Sequence, residues 1–210
     1  EDPVKTFVET EVFFQFNPKL TALSINNIQD TIQNKVSEYF NSNVGKFGQS
    51  FRRSNMLSLI DEVDTAVLSS RANIKLQQRM VPNLDILEDT TLRFPATIAE
   101  PDDKEHVIKS SSFQYQGNVC ILRNKLNTTK LEILELESQT IVNDNVGSYQ
   151  ASTSTVSIVG LLVEEIIGGT DYIKITAVPA NQSAVSPIRN DVLEYDAGPS
   201  FSQGIIVTST

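Results

Sequence analysis

The sequence holds one histidine and one cysteine, the side chains best suited to metal binding and nucleophilic chemistry. His106 follows the acidic run at residues 101–105, so a metal site formed by carboxylates and histidine is one interpretation and a solvated loop is the other. The loop is favoured, because one histidine beside adjacent acids has neither the spaced ligands of a zinc site nor the alternating oxygens of a calcium loop. We therefore predict no metal site and no cofactor.

The other reactive groups also lack the partners that catalysis requires. Cys120 lies in an apolar run without a cationic neighbour to lower its thiol pKa, so we expect a small buried side chain. Glu164 and Glu165 are adjacent and would point to opposite faces of a strand, which disfavours a glycosidase pair. There is no G-x-S-x-G elbow and no phosphate-binding glycine loop. We predict that the protein is not an enzyme.

Charge and length exclude further classes of function. The 210 residues include 17 Lys and Arg against 26 Asp and Glu, a formal net charge of -9. Nucleic acid is therefore a poor partner, because binding to phosphates needs a clustered cationic face. No apolar run approaches the roughly 18 residues of a transmembrane helix, so we expect no membrane partner. The first residues carry no initiator Met and no signal pattern, so we expect a piece of a longer protein.

The first 83 residues predict a β-α-α-β order. A strand rich in β-branched and aromatic residues runs from Val4 to Phe16, and Asn17-Pro18 ends it. Ser24 can cap a helix, and a second helix is expected from about Ser54 to Leu68. The first helix has an apolar stripe at Ile25, Ile28, Ile32, Val36, Tyr39 and Phe40. The second has apolar positions at Met56, Leu57, Leu59, Ile60, Val63 and Val67. A strand through Ala72, Ile74 and Leu76 follows.

From residue 84 onward the pattern changes to short strand-like runs between turn clusters. The prediction is therefore an α+β fold, with an N-terminal β-α-α-β module at residues 1–83 and a β-rich domain at residues 84–210. The Gly-Gly-Thr-Asp stretch at residues 168–171 is the best hairpin signal. In the run at residues 131–136 the apolar face switches, which a β-bulge would explain.

The run at residues 154–167 is apolar on both faces of a predicted strand, so it must be covered twice. Two interpretations remain open: a central strand of its own domain, which is favoured, or a contact with another subunit. If a subunit contact exists, we place it at the end of this run, and the predicted interface residues are Leu161, Leu162, Val163, Ile166 and Ile167.

A family resemblance lies within the first 80 residues. The small or hydrophobic residues that carry it are Phe16, Val36, Tyr39, Phe40, Gly45, Phe47 and Gly48, then Ser54, Leu57, Ile60, Asp61 and Val63. The pattern resembles the baseplate J-like wedge proteins of contractile-tailed phages, most closely the large wedge protein of T-even-like phages. The sequence departs from the family at residues 65–70, which stand where the family has a short Gly-Val turn.

The resemblance implies a C-terminal fragment of a non-catalytic virion protein of the tail baseplate, assembled in the host cytoplasm. Its implied partners are a second copy of itself, in a homodimer, and other baseplate wedge proteins, with which it joins wedges into a ring around the hub. The alternative is a β domain on an α+β mount that binds a receptor or glycan. Sugar stacking would depend on Tyr115, Tyr149, Tyr172 and Tyr195, since the sequence has no Trp.

Overall fold

The computed structural model describes residues 5–44, 49–187, 191–196 and 205–209. The chain forms two compact units: the first comprises Glu1–Lys75 with Asn181–Thr210, and the second is Leu76–Ala180. These ranges differ from the predicted domains, 1–83 and 84–210, whose independent folding stays a prediction. Val4, Gly45, Phe47 and Gly48, which the sequence analysis used, lie outside the described residues. The predicted α+β class is confirmed.

The helices and strands of the first unit are as follows: β1 (Lys5–Phe16), a 3-10 helix (Pro18–Leu20), α1 (Ile25–Asn43), β2 (Phe51–Arg52), α2 (Arg53–Asp61), the start of β3 (Val67–Met80), β14 (Ala184–Val185), β15 (Val192–Tyr195) and β16 (Ile205–Ser209). The predicted β-α-α-β order is present, with β2 inserted between the helices. No helix among the described residues is long and apolar enough to cross a membrane.

Helix α1 forms as its sequence pattern predicts. The Ser24 hydroxyl accepts a hydrogen bond from the Asn27 N–H at 3.2 Å, which caps the first turn. All of the predicted stripe is buried except Ile25, which is half-buried. Burial of such side chains stabilises the fold by about 1.5–3 kcal/mol each. The helix C-terminal end packs its aromatic rings on β2, with Phe40 stacked on Phe51 at 5.5 Å.

Helix α2 is shorter than predicted, since it ends at Asp61 and not near Leu68. The reason is a turn at Asp64, whose carboxylate accepts hydrogen bonds from the Ala66 N–H at 2.8 Å and from the Thr21 hydroxyl at 3.1 Å. This turn starts β3, so Val67 and Leu68 belong to a strand. Of the predicted inner positions within α2, Met56 and Ile60 are buried, Leu57 is half-buried and Leu59 is exposed.

Strand β1 organises the sheet of the first unit. It lies beside β3 and pairs in parallel with β15 and β16, two strands from the far end of the sequence. Its side chains alternate in burial from Val8 to Phe14, as a strand with one covered face requires. Helix α1 contacts β15 and β16. The two short strands β2 and β14 form an antiparallel pair.

The second unit contains the end of β3 and ten further strands. They are β4 (Leu87–Arg93), β5 (Ile108–Ser110), β6 (Phe113–Tyr115), β7 (Asn118–Asn124), β8 (Leu131–Glu135), β9 (Ile141–Asn143), β10 (Gly147–Gln150), β11 (Thr155–Leu162), β12 (Glu165–Ile166) and β13 (Ile173–Ala177). Strand β13 pairs with residues 76–80 of β3 and with β5. Strand β7 pairs with β5, β6 and β8, and the latter also pairs with β9. A three-stranded antiparallel sheet has the order β10-β11-β4.

Two local predictions are wrong in this unit. No bulge lies in residues 131–136, because β8 pairs with β7 without a register shift. The register of β8 against β9 does shift between Ile133 and Leu134, but the extra residue is Val142 of β9, between the paired Ile141 and Asn143. The hairpin predicted at residues 168–171 is wrong. The strand before it, β12, pairs with β6, whereas the strand after it, β13, pairs with β3 and β5. Gly168 and Gly169 have φ of 112° and 74°, so they turn the chain without pairing its two sides.

Candidate functional site

The five predicted interface residues do not share one exposed strand. Leu161 and Val163 are 3% and 1% exposed and pack inside the second unit. Leu162, Ile166 and Ile167 are half-buried. The run divides at Val163, because Ile166 pairs with Phe113 of β6 while Leu162 pairs with Leu87 of β4. Leu161 and Val163 are therefore corrected to core positions, and the other three keep partly accessible side chains.

The apolar run was predicted to be covered on both faces, but it is not, and a β-bulge explains the difference. The register of β11 against β4 shifts between Ile158 and Leu161. Within the bulge, Gly160 has φ of 61° and its N–H donates to the Asp89 carboxylate at 2.8 Å. Val159 is 53% exposed as a result, whereas Val156 and Ile158 are buried.

An exposed apolar segment precedes and enters β4. Its members are Val81, Leu84, Ile86 and Leu87, and we call it the apolar segment. Leu87 is 66% exposed and lies directly opposite Leu162, a predicted interface residue. No sequence pattern indicates this segment, because its residues have neither a helical nor a strand period between Pro82 and Asp85. Exposed apolar residues that form a contiguous patch mark interaction sites in soluble proteins, so this segment is a candidate.

The candidate reactive residues are not assembled into a site. The His106 Nδ1–H donates to the Asn124 backbone O at 2.6 Å, so this ring is held by a neighbouring strand. Asp102 accepts hydrogen bonds from the Lys104 and Glu105 N–H groups, which lower the pKa of its carboxyl. Among the described residues, no group of three or more His, Cys, Asp or Glu side chains is placed to hold a metal ion.

Cys120 is a core side chain, which confirms the sequence prediction. It is fully buried on β7, and burial raises the pKa of its thiol, with further contributions from Glu135 and Glu164. A thiol with a raised pKa has little thiolate at neutral pH and is a poor nucleophile. The residue therefore serves packing.

None of the four tyrosines proposed for sugar stacking is exposed, and Tyr195 is half-buried. Tyr115 and Tyr149 are both buried. The Tyr115 hydroxyl accepts from the Asn143 amide at 3.1 Å, and the Tyr149 hydroxyl donates to the Ala99 backbone O at 3.3 Å. Tyr172 is half-buried with the Arg79 guanidinium 4.3 Å from its ring centre. Stacking a sugar needs an open ring face, so these placements do not favour the glycan-binding alternative.

An ion pair between a half-buried arginine and a buried glutamate joins β7 and β8 of the second unit. Arg123 Nε lies 2.8 Å from Glu132 Oε1, and the Glu132 side chain is only 4% exposed. A buried carboxylate must be paired, so this contact satisfies Glu132 and stabilises the β7–β8 pairing.

A packed core and an exposed apolar segment are compatible with a protein that acts through contact. A comparison with family models agrees with this class: residues 5–79 match the family described as baseplate structural protein gp6, C-terminal domain III. The match covers just over a third of the chain and extends from β1 to β3, the segment that carries the sequence resemblance. No curated protein matches the chain. The matched segment supports a structural role in a phage baseplate.

Proposed function

We propose that this chain is a structural subunit of a phage tail baseplate wedge, which pairs with itself and helps join wedges into a ring around the hub. The observation that carries the proposal is the match of residues 5–79 to a baseplate structural domain. The chain acts without catalysis, and its partners are a second copy and other baseplate wedge proteins. It is located in the virion tail baseplate and is assembled in the host cytoplasm.

The self-contact is proposed at the partly accessible members of the predicted interface, Leu162, Ile166 and Ile167. A stable protein interface buries about 1,200–2,000 Å² in total. In a two-fold dimer one patch supplies both sides, so a modest apolar area on each copy counts twice. The apolar segment adjoins Leu162 through the Leu87 pairing and extends the candidate surface.

Charge supports a second type of contact, with unlike neighbours. The chain carries a formal net charge of -9, so it should meet basic patches on other wedge proteins. Such contacts weaken as salt rises, since charges beyond about 8 Å are screened at physiological ionic strength. Wedge joining should therefore become weaker between low and high salt. Joining that is independent of salt would leave apolar burial as the driving force.

Self-pairing is tested on the purified chain by sedimentation velocity over a range of concentrations. We expect a reversible dimer, which Leu162→Ser weakens because it removes an apolar side chain from the proposed contact surface. The matched control is Val119→Ser, which removes an exposed valine of β7 in the same unit. A strict monomer at high micromolar concentration would count against self-pairing.

The baseplate role is tested separately in the phage that encodes the chain. A stop codon within its gene should give particles that lack a complete baseplate in negative-stain electron microscopy, and complementation should restore it. Intact baseplates without the chain would exclude the role, whatever its state of association in solution.

A further inference from the structure

We propose that the outer edge of β4 pairs with β4 of a second copy, in an antiparallel ladder centred on Thr91. In this register Asp89 of each copy faces Arg93 of the other. The inference rests on the proposed self-association and names the strand edge that carries it.

Strand β4 has an open edge. Within the part of the chain that the structure describes, its strand partner is β11, and it is the end strand of its sheet. The Phe94 N–H, just beyond β4, donates to the Ser154 backbone O at 2.8 Å, on the β11 side. Backbone groups of alternate residues in a strand point to opposite edges, so those of Asp89, Thr91 and Arg93 point away from β11. The Arg93 backbone O is partly occupied, since it accepts from Gln78 Nε2 at 3.3 Å.

The opposite edge of this sheet, formed by β10, is already covered by the chain itself. The Tyr149 N–H donates to the Thr129 backbone O at 2.9 Å, and Lys130 forms an isolated bridge with Ser148. Two described edges of one sheet thus differ: a loop occupies one, and the β4 edge offers the backbone groups of Asp89 and Thr91 and the Arg93 N–H. An edge strand with unpaired backbone groups is a template for another strand.

The charged residues of β4 indicate the register of the ladder and favour a second copy of the chain as the partner. In an antiparallel ladder, residues that face each other have side chains on the same face of the sheet. A two-fold axis perpendicular to the sheet must therefore lie between a residue and its own copy, so the ladder is centred on a residue of β4. A centre at Asp89 would put two carboxylates together. A centre at Thr90 would set Arg93 against Leu87, with no charge pair. A centre at Thr91 sets Asp89 against Arg93 twice, and opposite charges directly across a ladder are stabilising.

The side chains of this register are accessible. Asp89, Thr91 and Arg93 are all exposed, and they lie in one row with Leu87. One carboxylate oxygen of Asp89 accepts from Gly160, which fixes the side chain and leaves its other oxygen for the Arg93 guanidinium of the second copy. The apolar segment enters the strand at Leu87, so apolar area continues from the end of the proposed ladder.

Register is tested by a cysteine at the two-fold axis in the full chain. Thr91 of both copies would form a hydrogen-bonded pair with Cα atoms about 5.5 Å apart, within the roughly 4.4–6.8 Å that a disulfide bridges. Thr91→Cys should therefore give a covalent dimer on a non-reducing gel after mild oxidation. The native Cys120 is fully buried and does not compete. Thr90→Cys is the matched control, and it should stay uncrosslinked because Thr90 would face Leu92 of the second copy.

Charge reversal provides the second readout, measured as the dimer dissociation constant by sedimentation. Arg93→Glu places like charges at both ends of the ladder and should weaken the dimer about tenfold. Arg93→Lys keeps the charge and should retain it. Asp89→Asn keeps an acceptor for Gly160 but loses the ion pairs, so an intermediate loss is expected.

The outcomes separate this inference from the function on which it rests. A wild-type dimer in which Thr91→Cys does not link and Arg93→Glu changes nothing would overturn the β4 pairing and leave self-association intact. Crosslinking by Thr90→Cys in place of Thr91→Cys would overturn the register. If the wild type is strictly monomeric and Thr91→Cys also forms no covalent dimer, both proposals are overturned.

Discussion

Replacement of Gly147 by alanine should destabilise the second unit strongly, because β10 and β11 approach each other closely at this residue. Gly147 pairs with Ile158 and has φ of 126°, a value that favours glycine. A Cβ atom at Gly147 would overlap the Ser157 backbone O and would lie 3.0 Å from the Ser157 backbone C. Since these are backbone atoms of the neighbouring strand, no side-chain rotation relieves the overlap, and β10 must move.

The expected magnitude has two parts. The positive φ costs an L residue about 1–2 kcal/mol, and displacement of β10 costs about 1 kcal/mol for each ladder hydrogen bond that is lost. Gly147→Ala should therefore lose about 3 kcal/mol of unfolding free energy. For a chain of this size, that corresponds to a fall in Tm of about 6–12 °C.

Gly117→Ala is the matched control. Gly117 has φ of 76°, but a Cβ there would meet nothing within 4 Å. This variant bears only the conformational cost, about 1 kcal/mol. The assay is thermal and urea unfolding followed by far-UV circular dichroism. Equal losses for the two variants would refute the argument, because the strand approach would then contribute nothing.

Three further predictions concern other contacts. Arg123→Met should lower the free energy of unfolding, measured in urea, by about 3–5 kcal/mol, because it leaves the buried Glu132 carboxylate unpaired. The added substitution Glu132→Leu should restore most of this free energy. Burial raises the pKa of Tyr149 to about 12, above the unfolded value of about 10. Because the unfolded state loses this proton first, the free energy of unfolding should fall as pH rises from about 10 to 12. Tyr149→Phe should reduce that fall. Ser24→Ala removes a helix cap and should cost about 1 kcal/mol in thermal unfolding, whereas Ser42→Ala on the exposed face of α1 should be nearly neutral.

Local patterns predicted the elements whose residues lie close together in the chain. The stripe and cap of α1 satisfy hydrogen bonds and burial within one stretch, so Ser24 and the residues to Phe40 were sufficient to indicate it. The burial of Cys120 followed from its apolar neighbours.

Predictions that depended on distant residues were wrong or absent. Helix α2 ends early because Asp64 bonds to Thr21, which is 43 positions away. The glycines at residues 168–171 suggested a hairpin, but the strands on either side pair with different partners. The interface prediction included Leu161 and Val163, because apolar character alone does not distinguish a buried side chain from a docking one.

The sequence by itself determined the α+β class, the helix α1, the burial of Cys120 and the absence of a recognisable catalytic motif, since each depends on residue type and local spacing. Only the tertiary structure decided that β1 pairs with β15 and β16 from the end of the chain and that β4 is the end strand of its sheet among the described residues. Strand pairing joins backbone groups that are alike in every residue. Partner and register are therefore chosen by the packing of the whole unit and are not encoded in either strand alone.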